Sequence, residues 1–302
     1  MATPTRFAPP RPHFPHFDPI VRHLASLNYW NRRLFLAKRI APKKYPHFQY
    51  KYKALGVDQA DRRTKHLRDI LVESRLWLSS PRDFNDPFDM TARVIFEGTT
   101  QRLRKRFKKL IAEKSGKQRK ERRALLDQFM RRPRHEWLQA IERVHAENHA
   151  QTGVVSFAGD PRSVLMWSHY GEHHSGVCLQ FTIAKDPTTF VEAVPVHYVR
   201  DYPAFNWAED TASQVGASLM HKFEEWRYEH EWRIVWPSGA HTYLPFDAAA
   251  LTGLIFGCRA PDSAIALVKD MLYERKARGL PTVRTYRAAE HGRKYALVIR
   301  RT

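Results

Sequence analysis

A chain of 302 residues, 43% of them hydrophobic and eight of them Trp, can bury a large core and lies outside the composition of a disordered chain. No run reaches the roughly 18 consecutive apolar residues a membrane span needs, and the N-terminus shows no apolar signal segment, so a cytoplasmic location is expected. The two cysteines, Cys178 and Cys258, stand far apart and outside any Cys-x-x-Cys pattern, which argues against a disulfide framework or zinc knuckle and fits a reducing compartment.

The formal charge of +20 is concentrated in two stretches. Residues 1–65 carry 14 Lys/Arg against 3 acids, and residues 101–134 carry 15 against 3. A confined basic surface attracts nucleic acid through counterion release and long-range steering. Residues 101–134 and the N-terminal arm are therefore the expected nucleic-acid contacts. The plainer reading is a solvated arm and a charged helix.

In chain order, residues 1–48 hold eight prolines and read as an irregular basic arm, with a short helix around 20–40. Tyr50-Lys51-Tyr52 reads as a strand, His66–Arg75 as a helix with Leu67, Ile70 and Leu71 on one face, and Leu76–Leu78 as a strand stopped by Ser79-Ser80-Pro81. Residues 100–149 read as two helices broken at Lys114-Ser115-Gly116-Lys117. From Gly153 the pattern turns to β. Strands are expected at Val154–Phe157, Gly176–Thr182, Val194–Tyr198, Trp232–Trp236, Leu254–Gly257 and Tyr295–Ile299. Helices are expected at Val164–Tyr170, 212–228 and 261–278. The expected fold is α+β: a mixed, mainly antiparallel sheet core with flanking helices and an inserted basic helical segment. The expected organisation is the arm 1–48 followed by a single domain, 49–302, with its helical insert at 100–149. The absence of G-x-G-x-x-G and G-x-x-x-x-G-K-[ST] sets aside the usual nucleotide folds.

Three polar segments carry candidate chemistry. Asn85, Asp86 and Asp89 cluster in a proline-bounded turn, as an Asx turn or as a ligand-facing loop. Met166–Gly176 contains Trp167, His169, Tyr170 and a His-x-x-Glu-His pattern, but Gly171 interrupts the single helix that such a zinc site needs, so no metal is expected. In the third, Glu229, Glu231 and Arg233 fall on one face if the strand begins there. Glu231 and Arg233 then either form an ion pair or leave a carboxylate facing a cleft.

Together the segments resemble the family catalogued as domain of unknown function 2971. The resemblance runs through Tyr50-Lys51-Tyr52, Leu76–Ser80 with Phe84–Asp89, Ser156-Phe157, Met166–Gly171, His174 to Phe181, Glu229–Arg233 and Ile255–Gly257. That family implies no activity. The order of the motifs is also similar to ADP-ribosyltransferases of the poly-polymerase and DNA-modifying toxin kind. This second likeness implies NAD as substrate, Glu231 or Glu229 as catalytic carboxylate, and Lys51, Tyr52, Ser156, Trp167, His169, Tyr170 and Arg233 around the NAD. Trp167 or Tyr170 would stack on nicotinamide, and Lys51 or Arg233 would hold the pyrophosphate. The acceptor would be nucleic acid or protein, in a defence or toxin setting. Lys51 and Tyr52 stand where that layout carries His or Arg, and two glutamates compete for the last role. On this reading Glu231→Gln stops NAD turnover and leaves the fold intact. The alternative is a nucleic-acid-binding protein or nuclease without NAD chemistry.

Overall fold

The computed structural model describes residues 22–23, 26–38, 46–56, 58, 60–116, 118–209 and 219–302. Most of the expected arm and the first part of the expected helix 212–228 lie outside the described residues. In chain order the elements are α1 (Tyr29–Lys38), β1 (Phe48–Lys53), α2 (Arg62–Leu71), β2 (Arg75–Leu78), β3 (Arg93–Ile95), α3 (Thr100–Lys114), α4 (Arg119–Arg131) and α5 (Arg134–Gln151). There follow β4 (Gly153–Phe157), α6 (Val164–His169), β5 (Val177–Thr182), α7 (Pro187–Phe190), β6 (Val194–Pro195), β7 (His197–Val199), β8 (Ala204–Asn206) and β9 (His221–Phe223). Last come β10 (Trp232–Trp236), β11 (Thr242–Pro245), β12 (Leu251–Phe256), α8 (Asp262–Ala277), β13 (Arg284–Glu290) and β14 (Leu297–Arg301). The fold is α+β with mainly antiparallel pairing; β12–β13, β3–β8 and β7–β9 are the parallel pairs. No helix among the described residues is long and apolar enough to cross a membrane.

The chain forms two compact units. The first takes the described residues within Met1–Ser80, Thr152–Val196 and Glu225–Thr302. Its larger sheet runs β1-β5-β12-β13-β14, and a smaller one runs β4-β10-β6. Single bridges, Tyr50 to Ala158 and Ser79 to Val154, join β1 and β2 to the β4 strand. The apolar runs of β5 and β12 are buried because α2 and α8 pack there: Leu67, Leu71, Leu179, Phe181, Leu254 and Val268 are all wholly buried. Each such side chain contributes about 2 kcal/mol by leaving water. Arg275, also buried, ties this core together by donating to the carbonyls of Leu71, Ala248 and Pro281 at 2.6, 2.6 and 2.7 Å.

The helix expected at His66–Arg75 runs instead from Arg62 to Leu71. Asp61 caps it by accepting from the Arg63 amide at 2.8 Å, and Ser74, at φ 51°, turns the chain into β2 before Arg75. The loop after α6 closes on β1 through Gly176, whose added Cβ would collide with the Lys53 carbonyl oxygen. Backbone cannot yield there as a side chain would. Gly176→Ala is therefore expected to cost about 1–3 kcal/mol in a urea unfolding curve.

The second unit takes the described residues within Pro81–Gln151 and His197–Glu224. The expected insert 100–149 is thus part of a larger body with its own core. Three helices form it, not two. Arg132 is extended ahead of Pro133, a conformation proline imposes on its predecessor, and this separates α4 from α5. The rings of Trp137, Trp207, Phe129 and Phe96 surround Phe107 at 4.6, 5.2, 5.4 and 6.2 Å between centroids. The described part of the helix expected at 212–228 is replaced by β9, paired with β7, and by a 3₁₀ segment at Glu224–Glu229. Backbone pairing with a distant strand decides that segment against its local helical pattern.

Candidate functional site

Strand β1, Phe-Gln-Tyr-Lys-Tyr-Lys, has two unlike faces because side chains alternate. Tyr50 and Tyr52 enter an apolar cluster with Trp167 and Cys178. Gln49, Lys51 and Lys53 take the other face. Lys51 Nζ donates to the Ser156 carbonyl at 2.9 Å and lies 5.6 Å from the Phe157 ring centre. Ser156 is the antiparallel partner of Arg233, and Phe157 of Trp232. Arg233 is wholly buried and grips Glu231 through two bonds, Nε to Oε1 at 2.7 Å and Nη2 to Oε2 at 2.8 Å. Burial, then the neighbouring Lys53 charge, pushes the Lys51 ammonium well below its ordinary range, and Glu231 opposes that shift. Residues far apart in the chain thus meet: Lys51 from β1, Ser156 from β4, Arg233 from β10, and Glu231 just ahead of that strand. Their charges interact in a low-dielectric setting where each is worth more than in water.

Glu229 belongs to a second, adjoining group. Its carboxylate, only 3% exposed, accepts from the Tyr170 hydroxyl at 2.8 Å. Exposed His169 meets the Tyr228 hydroxyl through Nδ1 at 2.9 Å, with the Trp226 ring 6.0 Å away. The expected alternation of Glu229 and Glu231 on one strand face is corrected. Glu229 ends a 3₁₀ segment, His230 is left-handed at φ 45°, and the strand starts only at Trp232. One carboxylate goes to Tyr170 and the other to Arg233.

Two expected ligand contacts are corrected as well. Trp167 is wholly buried, with its indole N–H donated to the Pro161 carbonyl at 2.9 Å, so it has no face for a nicotinamide ring. Tyr52 packs edge-on against it at 5.1 Å and donates its hydroxyl to the Asp160 carbonyl at 2.7 Å. Asn85, Asp86 and Asp89 lie in the second unit. Asp86 accepts from the Phe88 amide at 2.9 Å, as an Asx turn does, and Asn85 is exposed. Asp89 is buried against Lys222, 3.3 Å from its ammonium. In the His-x-x-Glu-His stretch, α6 ends at His169 while Glu172, His173 and His174 are all left-handed. His169 and His173 therefore do not share a helix.

Gln49, Lys53 and His66 also belong to this region, although motif reasoning passes over them. The signal for Gln49 and Lys53 was the polar–aromatic alternation of β1, whereas His66, on α2, carried none. Burial, then the Lys53 and Arg62 charges, pulls His66 down from 6.5 to about 4, with Asp69 opposing. The unfolded chain takes up this proton near pH 6.5 and the folded protein near 4. The stabilisation is therefore complete above pH 6.5 and lost as pH falls toward 4. It amounts to on the order of 2 kcal/mol at neutral pH. Urea unfolding at pH 7 and 4.5 should show a loss in the wild type that is smaller by about that amount in His66→Gln.

No curated protein and no solved structure matches the chain. The stretch that carries Trp167, His169, Tyr170, Glu229, Glu231 and Arg233, residues 166–234, matches the model of the family described as Protein of unknown function (DUF2971).

Proposed function

We propose that the protein is an ADP-ribosyltransferase-like enzyme that uses NAD as its substrate. The observation that carries this reading is the convergence of β1, β4 and the start of β10, which puts Lys51, Ser156, Glu231 and Arg233 in one place in the first unit. These are the three points at which the layout of such enzymes places its NAD-holding and catalytic groups.

The chemistry asks for little beyond fixed charge. The bond between nicotinamide nitrogen and ribose C1′ breaks, and its electron pair leaves on nicotinamide. Positive charge develops at the ribose, where the Glu231 carboxylate, held by the Arg233 fork, stabilises it. An acceptor lone pair forms the new bond to C1′, and the acceptor's proton passes to water. Lys51 holds a phosphate oxygen. Glu229 fixes the Tyr170 end of α6 through their 2.8 Å bond.

For the acceptor, the basic helices support nucleic acid. Arg102, Arg104, Lys105, Lys108 and Lys109 on α3 are all exposed, as are Arg119, Lys120 and Arg123 on α4. The same observation favours the second reading, a nucleic-acid-binding protein without NAD chemistry. Incubating the full chain with NAD, alone and with RNA or DNA, and measuring free nicotinamide separates the two. Release above the protein-free rate is expected. Folded protein that binds RNA with steep salt dependence yet releases no nicotinamide would overturn the enzyme in favour of the binder.

A further inference from the structure

We propose that the polar face of β1, Gln49, Lys51 and Lys53, together with His66 of α2, forms a phosphate-binding channel that accepts a pyrophosphate-bearing ligand. The inference rests on the NAD reading only for the identity of the full ligand. Capture of the phosphates stands on the geometry of this face.

Gln49 is wholly buried, and neither its Oε1 nor its Nε2 has a hydrogen-bond partner among the described residues. A buried amide left unpaired is costly, and Leu or Met would fill the same space without that penalty. His66 shows the same signature at the other end of the face. Its Nε2 accepts from Arg62 Nε at 3.2 Å, so in the neutral ring the proton sits on Nδ1. That Nδ1 is buried and has no acceptor among the described residues. Lys53 has no carboxylate partner among the described residues, and Lys51 spends one donor on the Ser156 carbonyl.

The inventory is therefore lopsided. The His66 N–H is a donor with no acceptor among the described residues, Lys53 is a cation with no carboxylate there, and Lys51 keeps two donors beyond the Ser156 carbonyl, all in a half-buried setting. Phosphate oxygens, which only accept and carry negative charge, complete such a set. The ribose hydroxyls beside a pyrophosphate offer the donor that Gln49 Oε1 lacks. The charges facing His66 agree: Lys51, Lys53 and Arg62 disfavour its protonation and only Asp69 opposes them. An anion would relieve that crowding. Along β1, Gln49 and Lys53 are separated by about 13 Å of strand, so the ligand is extended.

Calorimetric titration of the full chain with inorganic pyrophosphate and with adenosine diphosphate, against sodium chloride of equal ionic strength, tests the channel. Both phosphates are expected to bind. Lys53→Met should weaken both at least about tenfold, and Lys53→Arg should stay within about threefold of wild type. Gln49→Leu should raise the melting temperature of the ligand-free protein by roughly 2–8 °C while weakening adenosine diphosphate more than pyrophosphate. Melting curves on every variant identify those that fail to fold. No binding of either phosphate to the wild type, or unchanged affinity in folded Lys53→Met, overturns the channel. Nicotinamide release, scored separately, keeps the two proposals apart. Release with unaltered Lys53→Met affinity refutes the channel alone, and phosphate binding without release refutes the enzyme alone.

Discussion

Replacing Arg233 by Met is expected to destabilise the protein by about 3–5 kcal/mol. The guanidinium is wholly buried and Glu231 is 5% exposed, so removing one partner leaves the other in a low-dielectric site without its two-bond fork. The strand concerned pairs with β4 on one side and β6 on the other, so the loss falls at the centre of the smaller sheet. The double variant Glu231→Leu/Arg233→Met should recover most of the loss, because two apolar side chains of similar volume need no compensating charge. Urea unfolding of the wild type and both variants at pH 7 measures this. A single variant as stable as the wild type at pH 7 would show the pair to be energetically idle.

Glu231→Gln is expected to lower nicotinamide release by about 100-fold or more, the usual cost of removing a fixed charge aimed at a charged transition state. It should also lower stability by about 1–3 kcal/mol. The expectation drawn from the sequence, that this exchange spares the fold, is therefore revised. The amide keeps one acceptor for Arg233 but loses the charge that balances a buried guanidinium. Measuring kcat and KM beside the urea midpoint separates the two effects. A transition-state role lowers kcat in protein that remains folded at the assay temperature. If release is unchanged while the midpoint falls, Glu231 serves only Arg233, and Glu229, bonded to Tyr170, becomes the carboxylate to test.

Much of the fold was legible because its elements announce themselves locally. β1, β4, β5 and β10 carry the β-branched and aromatic runs that strands favour, and α8 has the length and pattern of a helix packed on a sheet. Elements that depend on distant partners were not legible. Thr242–Pro245 is a strand because β2 lies beside it, and Arg284–Glu290 because β12 does. Neither stretch alternates clearly, and both are completed by backbone bonds that the residues themselves do not encode.

The site divides in the same way. The sequence by itself determined which residue types were available: Lys51 on a first strand, Ser156 on a later one, and Glu229, Glu231 and Arg233 around the start of another. Spacing can do this because alternation and helical turns repeat over short distances. Only the tertiary structure decided their partners, sending Glu231 to Arg233, Glu229 to Tyr170, Trp167 into the core, and Asp89 to Lys222. It alone showed that Gln49 is buried and His66 half-buried, each with polar atoms unmet among the described residues. Burial and hydrogen-bond satisfaction belong to the whole packed chain, because each depends on what every other segment brings to the same few cubic ångströms.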